Sequence, residues 1–79
     1  MKTYKIVKFL STDKAILEQN GNTYVASFAD VPYSGPEVLV FPATAEGSIT
    51  DWMEVDGGPG YTSLQDFLSQ AILNTNRYQ

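Results

Sequence analysis

Asp51, Glu54 and Asp56, followed at once by Gly57-Gly58-Pro59-Gly60, come nearest to a chemical site in this chain of 79 residues. On an extended strand Glu54 and Asp56 would point the same way about 7 Å apart, a spacing that an acid and base pair of carboxylates could use. The remaining composition gives them no help. The chain has no histidine and no cysteine, which removes the commonest general base, the usual nucleophile pairs and most transition-metal ligand sets. The three carboxylates lack the spacing of an EF-hand calcium loop. The order of strand, glycine loop and helix has the outline of a phosphate-binding loop. It lacks that loop's lysine, however, Pro59 removes one backbone amide, and Glu54 and Asp56 would repel the anion. A chain this small also has little room for a catalytic cleft. The residues read as a non-enzymatic protein with no catalytic residue, no metal and no cofactor, in which the carboxylates form a solvated acidic edge.

Charge is distributed unevenly along the chain. The lysines Lys2, Lys5, Lys8 and Lys14 all lie in the first fourteen residues, and from Ala15 to Asn76 there are eight carboxylates and no positive charge. Charged side chains sit mostly at the surface, so much of the folded molecule carries a negative potential that attracts a protein with a basic surface. Direct nucleic-acid binding is not expected. Each phosphate contact wants a lysine or arginine, and on a regular strand Lys2 and Lys8 share a face while Lys5 points to the other, so no basic stripe forms. The aromatic residues supply the other half of a binding surface, because tyrosine and tryptophan bury large area and keep a polar handle. Tyr33, in a loop between two prolines, Trp52 and Tyr61 join Asp51, Glu54 and Asp56 as the candidate partner-binding residues. Two readings of Trp52 stay open: an exposed contact residue, or a core residue if the sheet curls around it.

The elements that must position these residues are short. With 43% apolar and 18% charged residues the chain is a folded globule, and its length suits one domain, 1–79. Without cysteine the hydrophobic core must hold it alone. Lys8, Asp13 and Lys14 interrupt the apolar N-terminal run before a signal peptide could form, so a cytoplasmic protein with no membrane span is expected. Apolar runs bounded by turn formers predict strands over 2–10, 15–19, 23–29, 37–41 and 48–55. A tight hairpin forms at Asn20-Gly21-Asn22, where positive φ is tolerated. In residues 23–29, Tyr24, Ala26 and Phe28 fall on one face, with Thr23, Val25, Ser27 and Ala29 on the other. Pro32 and Pro36 break the chain before the fourth strand. The glycines of 57–60 are expected as a loop. Thr62-Ser63-Leu64-Gln65 has the form of a capping box opening a helix over 63–74, with Leu64, Phe67, Leu68, Ala71 and Ile72 at helical spacing. The predicted fold is α+β: an antiparallel β-meander of four to five strands with one C-terminal helix packed on one face.

Two segments carry a family resemblance. Ile49-Thr50-Asp51-Trp52-Met53-Glu54-Val55, followed by Gly57-Gly58-Pro59-Gly60 and a capped helix, resembles the closing pattern of small phage and prophage proteins. Lys8-Phe9-Leu10-Ser11-Thr12, the Glu18-Gln19-Asn20-Gly21 turn and the helical tail are similar to the small anti-CRISPR proteins, with gaps allowed. The chain departs from that pattern at 37–41, which reads as strand where a first helix should stand, so no functional residue is carried over. The resemblance implies a compact, phage-encoded α+β protein that binds a host machine. The expected function is thus an inhibitor or modulator that presents acidic and aromatic surface to a basic site on a host nucleic-acid-handling effector. The alternative is a small accessory module that forms a homodimer through the uncovered sheet face.

Overall fold

A computed structural model of the chain describes residues 4–33 and 35–77, with side chains through residue 70. Lys2 and Tyr78, and the first residues of the expected strand 2–10, lie outside the described residues. Strands β1 (Lys5–Phe9), β2 (Lys14–Gln19), β3 (Asn22–Val31), β4 (Gly35–Pro42) and β5 (Asp56–Pro59) precede one helix, α1 (Leu64–Arg77). The strands form a single sheet in the order β1-β2-β3-β4-β5, every pair antiparallel. This is the expected meander with a C-terminal helix, an α+β arrangement. No helix of the described residues is long and apolar enough to cross a membrane.

The β2–β3 hairpin sets the register of the sheet. Asn20 and Gly21 take φ of 52° and 82°, the left-handed pair that a two-residue turn needs to match strand twist. Gln19 then faces Asn22, Leu17 faces Tyr24 and Ala15 faces Ala26. Through β4 the rows continue to Val40 opposite Ala26 and Val38 opposite Phe28. Ala15, Leu17, Ala26, Val38 and Val40 are all fully buried, and they share one hydrophobic cluster with Tyr4, Leu64, Phe67 and Leu68. We call this side of the sheet the first face. The second face carries Ile16, Val25 and Phe41 in one row and Lys14, Ser27 and Leu39 in the next.

Three local expectations are corrected. The strand expected over 48–55 does not form. Ala43 and Ile49 make one isolated bridge, the Thr50 amide donates to the Pro42 carbonyl, and the Asp51 side chain then accepts the Met53 amide at 3.2 Å. That turn takes the chain out of extension, because the carboxylate offers the backbone a local partner in place of a ladder. The place beside β4 goes instead to the expected glycine loop, which becomes β5, with Gly57 opposite Leu39 and Gly58 opposite Val38. Gly57 has a φ of 94°, and a Cβ there would collide with the Val38 carbonyl. Only a residue without a side chain lets the two backbones approach so closely.

The second correction concerns β1. Its register slips between Ile6 and Lys8, so Val7 is an extra, bulged residue. Lys5 faces Glu18 and Lys8 faces Ile16, which places both lysines on the second face. Strict alternation would have separated them, and the bulge reverses the parity. The third correction shifts the helix cap by one residue. Ser63, rather than Thr62, accepts the Asp66 amide at 3.1 Å, while the Asp66 carboxylate accepts the Thr62 amide at 3.2 Å. Asp66 also brings negative charge to the positive end of the helix dipole, which Gln65 could not.

The sheet curls strongly. The Tyr4 hydroxyl, just ahead of β1, donates to Asp56 Oδ2 on β5 at 2.8 Å. Four strand spacings would separate these edges by roughly 19 Å in a flat sheet, beyond the reach of the two side chains. Burial is the main reason the Tyr4 phenol is held well above its usual range, followed by the Asp56 hydrogen bond, the Asp56 charge and the neighbouring Tyr24. Because the folded state keeps this proton at a pH where the unfolded chain releases it, Tyr4 contributes stability that is fully present below about pH 10 and lost above it. In urea titrations from pH 9 to 11.5 the wild type is expected to lose stability more steeply than Tyr4→Phe. Equal slopes would show that the phenol is not held protonated by the fold.

Candidate protein-binding surface

Residues 43–55 form a strap over part of the second sheet face. Thr44 organises its turn: the Thr44 amide donates to the Ser48 carbonyl, the Gly47 amide donates to the Thr44 carbonyl, and the Thr44 hydroxyl oxygen accepts the Ser48 amide. Gly47 is pressed so close to the sheet that a Cβ there would lie 2.6 Å from Leu10 Cδ1 and 3.5 Å from Ile16 Cδ1. Ile16, which the strap meets at this point, is buried on the second face. Further along, Trp52 packs edge-on against Phe41, with ring centroids 5.4 Å apart.

Trp52 is nonetheless 76% exposed and Met53 65% exposed, and both flanking carboxylates, Asp51 and Glu54, are exposed. The core reading of Trp52 is therefore overturned, even though the sheet does curl. The curl closes around the first face, where Tyr4 reaches Asp56, and the strap lies on the other. Between strap and sheet runs a groove of about 210 Å³ with Val25, Ser27, Leu39 and Phe41 as its floor and Lys14, Gly47, Ile49 and Trp52 along its margin. That is below the size of a drug-like ligand site and suits the apolar side chain of a docking protein.

The six residues singled out from sequence separate into three groups. Asp51, Trp52 and Glu54 stand together on the strap. Tyr33 is fully exposed at the turn between β3 and β4, at the Gly35 end of β4, whereas Trp52 packs at Phe41; six residues of strand put roughly 20 Å between those points. Asp56 and Tyr61 belong to the interior instead. Asp56 is half-buried on the first face as the acceptor of Tyr4, and Tyr61 packs perpendicular to Phe67 at 5.1 Å. Tyr4, Tyr24, Phe67 and Tyr61 form a continuous aromatic chain at the rim of the core. Glu54 is exposed on the strap while Asp56 is half-buried and bonded to Tyr4, so the two carboxylates do not share one environment.

Sequence reasoning missed Met53, Leu10 and Lys14 as parts of this surface. Met53 was readable as an apolar residue between Trp52 and Glu54. Lys14 was not, since only the register across β2, β3 and β4 brings it to the groove. Among the described residues no group of three or more histidine, cysteine, aspartate or glutamate side chains could hold a metal ion. No protein family model, curated protein or solved structure matches the chain.

Proposed function

We propose that this chain is a non-enzymatic protein-binding inhibitor or modulator, acting in the cytoplasm, that presents Asp51, Trp52, Met53 and Glu54 to a basic site on a host nucleic-acid-handling effector. The observation that carries the reading is Trp52, three-quarters exposed yet braced against Phe41 and flanked by carboxylates. A large aromatic held in place before binding loses little conformational freedom on contact, and neighbouring carboxylates accelerate encounter with a basic surface. In this reading α1 packs on the first sheet face and leaves the second to the partner. The choice of effector class follows the resemblance to phage-encoded inhibitors and the uninterrupted negative charge from Ala15 to Asn76.

The test is capture from host lysate with tagged protein at low and at high salt, with mass spectrometry on the retained material. A basic nucleic-acid-handling protein is expected at low salt and should be released at high salt. Glu54→Lys, at an exposed position, should slow its association about tenfold without changing the unfolding midpoint. Retention insensitive both to salt and to Glu54→Lys would overturn the electrostatic mechanism.

A further inference from the structure

The sequence holds one Asn-Gly pair, Asn20-Gly21, and one Asp-Gly pair, Asp56-Gly57. Both are open to the same ring closure, because a glycine has no Cβ to keep its backbone nitrogen away from the side-chain carbonyl carbon of the residue before it. The fold treats the two pairs in opposite ways. Asn20 and Gly21 are exposed at the β2–β3 turn, and Gln19 and Asn22 close the ladder, so neither turn residue is paired in it. Among the described residues nothing lies within 4 Å of the place a Cβ on Gly21 would take. Asp56 is half-buried, its Oδ2 accepts the Tyr4 hydroxyl at 2.8 Å, and it pairs with Val40 while Gly57 pairs with Leu39. To reach the Gly57 nitrogen, the Asp56 side chain must leave both the tyrosine and the strand. Asn20 needs only the exposed end of one hairpin to open, a local fluctuation that costs far less than global unfolding.

From this contrast we infer that Asn20 is a site of spontaneous covalent modification in the native protein. The Gly21 nitrogen bonds to Cγ of Asn20 and closes a cyclic imide. The bond from Cγ to the side-chain nitrogen breaks, and ammonia leaves with the proton given up by the Gly21 amide. Water then opens the ring, with no change in oxidation state: attack at Cγ leaves an ordinary aspartate, and attack at the main-chain carbonyl leaves isoaspartate, whose backbone runs through Cβ and Cγ. Either product adds one negative charge to the net charge of −4. Their structural consequences differ. Asp-Gly suits the same two-residue turn as Asn-Gly. The extra backbone atom of isoaspartate does not fit it, and that turn places Leu17 opposite Tyr24 and Ala15 opposite Ala26, the register that carries Ala15, Leu17 and Ala26 into the core. The disturbance also meets the root of the strap, since the Thr23 carbonyl accepts the Ala43 amide at 3.0 Å.

The inference is independent of any partner, and its test uses the isolated protein. Native protein is held in mildly alkaline buffer at 37 °C beside a sample unfolded in urea, and both are followed by anion-exchange chromatography and peptide mass spectrometry, with an isoaspartyl methyltransferase as the probe for isoaspartate. More acidic species should accumulate in the native sample, with aspartate and isoaspartate both mapped to position 20 and none of the isoaspartate to position 56, whereas unfolded chain should form isoaspartate at both. Asn20→Gly removes the reacting amide and keeps a pair suited to the turn, so it should fold and give no acidic species. The purified isoaspartate form should unfold at lower urea than Asn20→Asp. Asn20 left intact in native protein while it converts in urea overturns the inference. Isoaspartate forming at Asp56 as fast as at Asn20 in native protein overturns the selection by the fold, and equal urea midpoints for the isoaspartate form and Asn20→Asp overturn the part given to the turn.

Discussion

Replacing Gly57 by alanine is expected to cost about 3 kcal/mol or more, combining the strain of a side chain at positive φ with the displacement of a packed neighbour. The chain's whole stability is roughly 4–12 kcal/mol for its length, so the variant should be partly unfolded at 37 °C. The cause is specific. The new Cβ would collide with the backbone carbonyl of Val38, which cannot turn aside as a side chain could. Relief requires parting β5 from β4, and with β5 goes Asp56, the acceptor of Tyr4. Gly21→Ala is the control. Its φ of +82° is close to the +94° of Gly57, but its Cβ would meet nothing within 4 Å, so only the backbone strain remains, about 1 kcal/mol. Urea denaturation of both variants checks the argument; equal losses would mean that β5 does not lie as close to β4 as described.

Leu68→Ala should destabilise the protein by about 3 kcal/mol, within the usual cost of truncating a buried leucine. Leu68 is 1% exposed and belongs to the cluster that contains Leu17, Ala26 and Val40, so its loss opens a cavity between helix and sheet residues that small alanines cannot close. The contrast is with Trp52→Ala. This removes a larger apolar side chain, yet Trp52 is 76% exposed, and the expected loss is under about 1 kcal/mol, chiefly its edge contact with Phe41. The pair separates stability from the proposed function: Leu68→Ala is expected to lower the unfolding midpoint, whereas Trp52→Ala is expected to leave it nearly unchanged and to abolish capture of the proposed basic partner. If Trp52→Ala proved as destabilising as Leu68→Ala, the tryptophan would be a core residue and the strap would not be a contact surface.

The antiparallel meander, the tight turn at Asn20-Gly21, the faces of β3 and the C-terminal helix were legible in the sequence because each rests on local chemistry. Positive φ at Asn20 and Gly21, alternation along 23–29 and the spacing of Leu64, Phe67 and Leu68 are properties of a few consecutive residues. So was the acidic and aromatic character of Asp51, Trp52 and Glu54. The fifth strand was not legible. Asp56-Gly57-Gly58-Pro59 has every local mark of a loop, and it pairs with β4 only because Gly57 lacks a Cβ where the Val38 carbonyl passes. The same substitution of one strand for another carried Asp56 from the acidic edge to the interior, where it accepts a hydrogen bond from Tyr4, 52 residues away.

Composition and order therefore determined by themselves that this protein is a small α+β meander without histidine or cysteine, basic at its start and acidic through its body. Tertiary structure alone decided which residues share a surface. A one-residue bulge at Val7 put Lys5 and Lys8 on one face, and the competition for the free edge of β4 sent Trp52 outward and Asp56 inward. The physical reason is that side-chain direction along a strand has a period of two: one inserted residue, or one exchanged strand, reverses every face downstream of it, and only long-range backbone pairing chooses between the alternatives.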